Sequence, residues 1–558
     1  MDIVKKNINV KIIGVFATVL LLVIVITASF AYFGSFNVKL NNNVTVNVNS
    51  VSPGNATFTS NATQLNLQVP AANMSFTAAD NSVAAASNTA TLTVNLTGAA
   101  NLLTTCTYDI VYEYDSTSSI YGGSQSKSVA KNGNKEITLQ VLNVNGTNSF
   151  TSEKNFDYDS NWSGLKRTLV SGATIESDGT LTTQNISITG KYYNLTISQS
   201  SLEGKTFAGK IYVTNHRCET IKPAYMTILE NNTINQKIPD FSVIATTNYG
   251  LYKAEDDLGT SYYFRGAVNN NWVQFGKDND GNDIYWRIIR INGNGSIRMI
   301  YSGTIVPSTD SSVKGSKGVY ITGNGIRINE SQFNGNRTNA EYVGYQYMEG
   351  QQHGFGKCNG TNISCTVNGN IVYNSKIKQE IDKWYAETTL ETDAATKALV
   401  SQDQIFCNDR SASSTQTTAW TSTGAIYYYG AYNRLLNNKK PILTCPIESD
   451  KFTVNTSNGN GALTYPVGLI TADEVAMAGG VMNKNNSSYY LYTNHGYWLG
   501  TSLYFNGNNE ARGIYLGSSG SMTGASIHYA FDVRPVISLS PKAQLLGSGT
   551  YNDVYTVS

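Results

Sequence analysis

Leu92-Thr93-Val94-Asn95-Leu96 and Val44-Thr45-Val46-Asn47-Val48 alternate apolar with polar residues at every step. That is the period of a strand with one buried and one wetted face. The same period returns at Ile137, Leu139 and Val141, at Ile186 and Ile188, and at Phe207, Gly209, Ile211 and Val213, with Gly, Asn and Ser clusters between the runs. No long helical pattern interrupts them. Strands with one apolar face must bury it against a second sheet, so residues 37–222 are expected to form a β-sandwich.

Ahead of these strands stand Lys5, Lys6 and Lys11, then an uncharged run from Ile12 to Phe33 that ends in Ala28-Ser29-Phe30-Ala31-Tyr32-Phe33. As a helix this run reaches roughly 30 Å, enough to cross the hydrocarbon core of a bilayer. Residues 1–36 are therefore expected to act in one of two ways. They anchor the chain in a membrane through residues 12–33, or they form a signal peptide cleaved after Ala31, where Ser29 and Ala31 supply the small residues of a cleavage site. The lysines keep the N-terminal end cytoplasmic and export the rest. The expected location is the cell membrane with an extracellular C-terminal region, or the medium if the segment is cleaved. No Leu-Pro-x-Thr-Gly sorting motif occurs, which leaves the N-terminal segment as the expected anchor.

Composition fits an exported, mainly β protein. Charged residues make up 14 % of the 558, against roughly 25 % in an average domain. Forty basic residues face 39 acidic ones for a net charge of +1, without a dense Lys/Arg run, so there is no electrostatic footprint for nucleic acid. The 36 tyrosines offer amphipathic surface to sugars or proteins, and they also simply favour strands. Six cysteines form an even set that suggests disulfides within domains. Cys106 and Cys218 lie in the first half, Cys106 in one strand and Cys218 just past the last. Cys358 and Cys365 would close a small loop, and Cys407 and Cys445 would bracket the Tyr-rich segment around Tyr427. Ordinary buried thiols are the alternative in an anaerobe. There is no Cys-x-x-Cys, and the four histidines, His216, His353, His495 and His528, are scattered. No metal and no cofactor is expected.

Residues 223–248 hold Pro223, a short helical pattern at Met226, Ile228, Leu229 and Glu230, an Asn-rich stretch and Pro239, and read as a linker. From there the texture changes: every tryptophan but Trp162 follows, and helix signals join the strands. Ile284 to Ile291, Asn292-Gly293-Asn294-Gly295 and Ser296 to Tyr301 spell a β-hairpin. Ser375 to Tyr385 carries Ile377, Ile381, Trp384 and Tyr385 at helical spacing. Thr471-Ala472-Asp473-Glu474 is a capping box opening a helix that Gly479 and Gly480 should end. Tyr497 to Ser502 and Phe531 to Leu539 read as two strands, with Arg534-Pro535 at an edge or a strand start. Residues 249–558 are thus expected to form a mixed α/β distal domain.

Asp278-Asn279-Asp280-Gly281-Asn282-Asp283 has the carboxylate density of a calcium loop but not the EF-hand register, and reads as a hairpin turn. No Gly-x-Ser-x-Gly elbow is present, and His495 and His528 fit surface or packing roles. Asp473 and Glu474 are better explained by capping than as a glycosidase pair. Arg287, Arg434 and Arg534 read as buried partners for Asp409, Asp532 or Glu474. The aromatic residues Trp420, Tyr427, Tyr428, Tyr497 and Trp498 are the candidate ligand-binding platform, with packing into a core as the competing reading of Trp498, as of Trp286 and Trp384.

Two resemblances add to this reading. The hydrophobic segment followed by a sandwich whose closing strand is Gly204-Lys205-Thr206-Phe207-Ala208-Gly209-Lys210-Ile211 resembles exported matrix proteins of the camelysin and biofilm-fibre type, which implies a spacer or fibre role. The order Tyr285-Trp286-Arg287, Trp384 helix, Phe406-Cys407-Asn408-Asp409-Arg410, Leu469-Ile470-Thr471-Ala472-Asp473-Glu474-Val475, Tyr497-Trp498-Leu499 and Val533-Arg534-Pro535-Val536-Ile537 resembles a domain common in surface proteins of gut Firmicutes. That family implies an exported cell-envelope protein and supplies no established activity. The same region is distantly similar to the C-type-lectin-like scaffold shared by formylglycine-generating enzymes. The lectin calcium triplets Glu-Pro-Asn and Gln-Pro-Asp are missing, so calcium-dependent sugar binding is not implied.

The expected architecture is therefore an N-terminal transmembrane or signal helix, a β-sandwich stalk, and a C-type-lectin-like mixed α/β domain. The expected function is non-enzymatic binding or adhesion at a bacterial cell surface, with a glycan or protein as ligand. A secreted or anchored matrix or fibre subunit is the rival, and an enzyme, a hydrolase or oxidase, is the third class.

Overall fold

The computed structural model describes residues 43–48, 56–69, 84–99, 102–114, 136–147, 150–156, 166–193, 199, 202–307, 326–353, 356–359, 361–420 and 424–558. The expected membrane or signal segment, residues 12–33, lies outside them. Among the described residues no helix is long and apolar enough to cross a membrane. The chain is mainly β and divides into two compact units, Met1–Lys222 and Pro223–Ser558.

The first unit contains β1 (Asn43–Val48), β2 (Ala56–Asn61), β3 (Thr63–Gln68), β4 (Ala86–Thr97), β5 (Leu103–Tyr114), β6 (Ile137–Leu142), β7 (Lys154–Asn155), β8 (Lys166–Ser177), β9 (Leu181–Tyr192) and β10 (Thr206–Ile221). They form two antiparallel sheets, ordered β1-β2-β4-β9-β6-β7 and β3-β10-β5-β8. The alternation seen in the sequence is realised directly. Leu92, Val94 and Leu96 of β4 and Ile186 and Ile188 of β9 are buried against Tyr108, Ile110 and Tyr112 of β5 and Phe207 and Ile211 of β10 in one core, while Thr91 and Asn185 stay outside it. Each such side chain fully buried contributes about 1.5–3 kcal/mol. Two sheets sharing one core are a β-sandwich.

Cys218 does not follow the last strand: β10 continues to Ile221, and Cys218 sits within it directly opposite Cys106 of β5. The two form a disulfide with Cα atoms 4.0 Å apart. The bridge joins neighbouring strands of one sheet rather than the two sheets. The strand was underestimated because Asn215, at φ 51°, and a register shift between Thr214 and Arg217 break its alternation, as a bulge does.

In the second unit residues 223–248 are not a free linker. Ala224–Glu230 is a helix that buries Ala224 and Ile228 in the main core. Ile234–Asn235 pairs in parallel with Leu251 and Tyr252, and the carbonyls of Asp240 and Val243 accept hydrogen bonds from the Arg265 guanidinium. The Asn side chains that suggest a linker bond locally instead: Asn231 Nδ2 donates to the Tyr555 hydroxyl, Asn232 Nδ2 to the Ile228 carbonyl and Asn235 Nδ2 to the Leu251 carbonyl.

The rest builds sheets of nine, six, three and two strands around one large core. Asp283–Ile291 and Ile297–Tyr301 form the expected hairpin, its turn closed by Asn292 N–H to the Ser296 carbonyl and by Gly295 at φ 81°. Helix Lys376–Glu387 is capped by Ser375, and helix Ala472–Ala478 opens on the complete Thr471/Glu474 capping box and stops at Gly479, φ 122°. The run Phe531–Leu539 is two strands, not one. Ala530–Val533 pairs with Asn329–Gln332 and Tyr497 in the six-stranded sheet, whereas Val536–Leu539 pairs with Ile297–Ile300 in the nine-stranded sheet. Pro535 cannot donate to a ladder, so the chain changes sheets there.

Candidate functional site

The five candidate aromatic residues do not form one platform. Tyr497 and Trp498 are fully buried, because their strand Tyr497–Phe505 is covered on both faces except at Tyr504. Trp498 donates its indole N–H to the Ser331 carbonyl at 3.0 Å and packs edge-on against Phe333 and Phe531. Tyr497 lies under the Arg534 guanidinium, 4.8 Å from its ring centre. Both hold the core, as do Trp286, whose indole N–H reaches the Phe275 carbonyl, and Tyr427, which is buried with its hydroxyl at Gln352.

Tyr428 alone of the strand pair stays half-buried, and Trp420 is half-buried against the core edge. Register places Tyr428 opposite Tyr504, and Tyr504 opposite Arg512 on the next strand. Tyr432 opens the helical segment Tyr432–Asn437 that follows the Tyr427–Tyr428 strand. The ring centres of Tyr428 and Tyr432 are 4.1 Å apart, and Tyr504 stands 5.7 and 6.5 Å from them. The Arg512 guanidinium sits 5.5 Å over the Tyr504 ring, its Nη2 on Glu510 and its Nε without a hydrogen-bond partner. Burial holds the Tyr428 and Tyr504 hydroxyls above the usual phenol range, so at neutral pH they remain O–H donors. The result is a half-exposed row, Tyr432, Tyr428, Tyr504, Arg512, combining ring faces with hydroxyl and guanidinium donors. Sequence reading found Tyr428 and missed the other three. The legible signal was Tyr504 near the end of strand Tyr497–Phe505; what tertiary pairing added was its neighbours.

A second feature is a polar cleft lined by Asp256, Arg290, Arg298, Arg434, Asp473 and Glu474, with about 40 Å³ of free space. That volume takes roughly two or three water-sized groups, too little for a sugar ring. Its charges are already matched. Arg290 bonds Asp256 and Glu474, Arg298 meets Glu474, and Arg434 bridges Asp409 and Asp473. Of the expected arginine partnerships, Arg434 with Asp409 is present. Arg534 instead binds the carbonyl of Tyr301 and the Ser302 hydroxyl, and Arg287 binds Asn271 and the Val268 carbonyl. Asp532 pairs with Arg327. The cleft is an ionic joint of the fold.

The remaining cysteines pair as Cys358–Cys365 and Cys407–Cys445, the second beside a fully buried Asp450 that Arg410 grips through its backbone N–H and two side-chain nitrogens. His353 lies 3.5 Å from that carboxylate. Burial raises the Asp450 carboxyl and Arg410 more than reverses it, leaving it below the usual range. His528 contacts Ser526 and Arg337, and His495 stands 3.9 Å from Asp532. Asp278 accepts the N–H groups of Asp280 and Asn282 inside its own turn. Among the described residues no group of three or more His, Cys, Asp or Glu side chains is placed to hold a metal ion. Compared with family models, curated proteins and solved structures, the chain matches none.

Proposed function

We propose that this chain is an exported bacterial cell-surface protein of the non-enzymatic, ligand-binding type. In this reading residues 12–33 deliver or anchor the chain, the sandwich is the spacer, and the distal unit, a C-type-lectin-like scaffold, presents the Tyr432, Tyr428, Tyr504, Arg512 row to a glycan. The half-exposed tyrosine row carries the reading. Stacked ring faces suit the C–H faces of a sugar, and the phenol hydroxyls with Arg512 supply donors for its hydroxyls. Three disulfides fit an oxidising exterior.

The test is a glycan array probed with the whole exported chain and with Tyr428→Ala and Tyr504→Ala. Binding that falls at least tenfold in both variants while their melting curves stay close to the parent supports the proposal. Absence of any bound glycan, or equal binding by the variants, removes it.

A matrix subunit is the second reading, favoured by one observation. Strand β1 pairs only with β2 among the described residues, and its sequence, Asn43 to Val48, has no charge or proline of the kind that blunts sheet edges. Fibres that grow with concentration in electron micrographs would support it, and a monomer at high concentration would exclude it.

A further inference from the structure

Lys378 and Asp382 lie one turn apart on helix Lys376–Glu387, and both are fully buried. Lys378 Nζ sits 2.5 Å from Asp382 Oδ2. On an exposed helix such a pair would be a minor decoration. Inside a core each charge loses its hydration, and only excellent geometry with further hydrogen bonds compensates. Here the compensation is incomplete. Asp382 Oδ1 has no hydrogen-bond partner, and neither does the hydroxyl of fully buried Tyr345, whose ring centre is 5.9 Å from Nζ.

A low-dielectric site favours the neutral form of a carboxyl group. Burial pushes the Asp382 carboxyl up, and the pull of Lys378 does not cancel it. Moving one proton from the ammonium to the carboxylate places an amine against a carboxylic acid, on one helix face, with little room for water to reverse a condensation.

We propose that Lys378 and Asp382 become joined by a side-chain amide, formed without an enzyme once the helix is packed. The Nζ lone pair attacks Cγ, the Nζ–Cγ bond forms, and one Cγ–O bond breaks. The departing oxygen carries its own proton and one from Nζ and leaves as water. Nothing is oxidised or reduced. The product replaces two buried charges with one neutral amide whose carbonyl still accepts a hydrogen bond.

Tryptic mapping of the full chain tests this. A free lysine permits cleavage after Lys378. The amide blocks it and yields the peptide of residues 377–383, lighter by one water, whose fragments between the linked residues do not separate. In Lys378→Met the loss of water should vanish. Cleavage after Lys378 with Asp382 at full mass overturns the proposal. So does a water loss that persists in Lys378→Met, since that is a succinimide at Asp382 and not a cross-link.

Discussion

Glu474 Oε1 lies 3.0 Å from Arg290 Nε and 2.6 Å from Arg298 Nε, while Oε2 accepts the Thr471 N–H at 2.9 Å. One carboxylate therefore ties both strands of the hairpin to the start of helix Ala472–Ala478. Burial drives this carboxyl up, but Arg298, Arg290 and Thr471 outweigh it and leave it below its ordinary 4.5. A lowered folded value means the stabilisation is present above the unfolded value and is lost as pH falls through the folded one. Glu474→Gln should lose about 3–5 kcal/mol at pH 7, because the buried Arg298 loses its carboxylate partner and Arg290 keeps only Asp256. It should also flatten the stability loss below pH 4.5, and urea titrations at pH 7 and in acid check both. An unchanged acid limb in the variant would count against the assignment.

Gly209 lies in the first third of β10, where a Cβ would stand 1.8 Å from the Tyr112 ring. That ring is held by its hydroxyl on the Ala208 carbonyl, so it does not swing away freely. Gly209→Ala should destabilise the sandwich by about 1–3 kcal/mol through overpacking, and Tyr112→Phe/Gly209→Ala should recover part of it. Denaturant midpoints decide; a neutral Gly209→Ala refutes the packing account.

The disulfides should contribute unequally. Cys106–Cys218 spans 112 residues and Cys358–Cys365 only seven, and chain entropy favours the longer loop. Replacing the first pair with serine should cost about 2–5 kcal/mol, and replacing the second pair clearly less. Equal losses in guanidinium unfolding would mean strain or residual structure dominates.

Trp498 and Tyr504 share a strand and should separate cleanly by phenotype. Trp498→Ala should cost about 3–5 kcal/mol, as for other large core aromatics, and reduce ligand binding only in proportion to unfolding. Tyr504→Ala should leave the fold largely intact and weaken binding directly. Calorimetric melting alongside binding on the same samples distinguishes them; a native-like melt for Trp498→Ala would overturn its core role.

His216 stacks on Phe58 with ring centres 5.1 Å apart, and burial holds its imidazole below the ordinary 6.5. Protons therefore bind the unfolded chain first, so stability should fall as pH drops below about 6.5. His216→Leu should lose less stability than the parent between pH 7 and 5. Identical pH slopes in the two proteins would show that His216 does not titrate in this window.

What could be read from residues alone was local. Thr471 with Glu474, the Asn-Gly turn and the period-two runs at Leu92–Leu96 and Ile186–Ile188 each specify a cap, a turn or a face through neighbours within a few positions, and the structure contains them. The linker reading of residues 223–248 missed backbone carbonyls that accept from Arg265, a parallel pairing and Asn side chains bonded to Tyr555, Ile228 and Leu251, partners that sequence spacing does not encode. The aromatic platform failed at Tyr497 and Trp498 for a related reason. Whether an aromatic residue faces water depends on what covers it, and their cover comes from Phe333 and Phe531, remote in sequence.

The sequence by itself determined that residues 37–222 carry strands with one apolar face, and that the cysteines stand at an even count. Both follow from alternation and composition, which are properties of the chain. Only the tertiary structure decided that Cys218 stands in register with Cys106, that Pro535 sends one strand into two sheets, and that Tyr428, Tyr432, Tyr504 and Arg512 form a row. Those are long-range pairings, set by how faces distant in sequence bury one another.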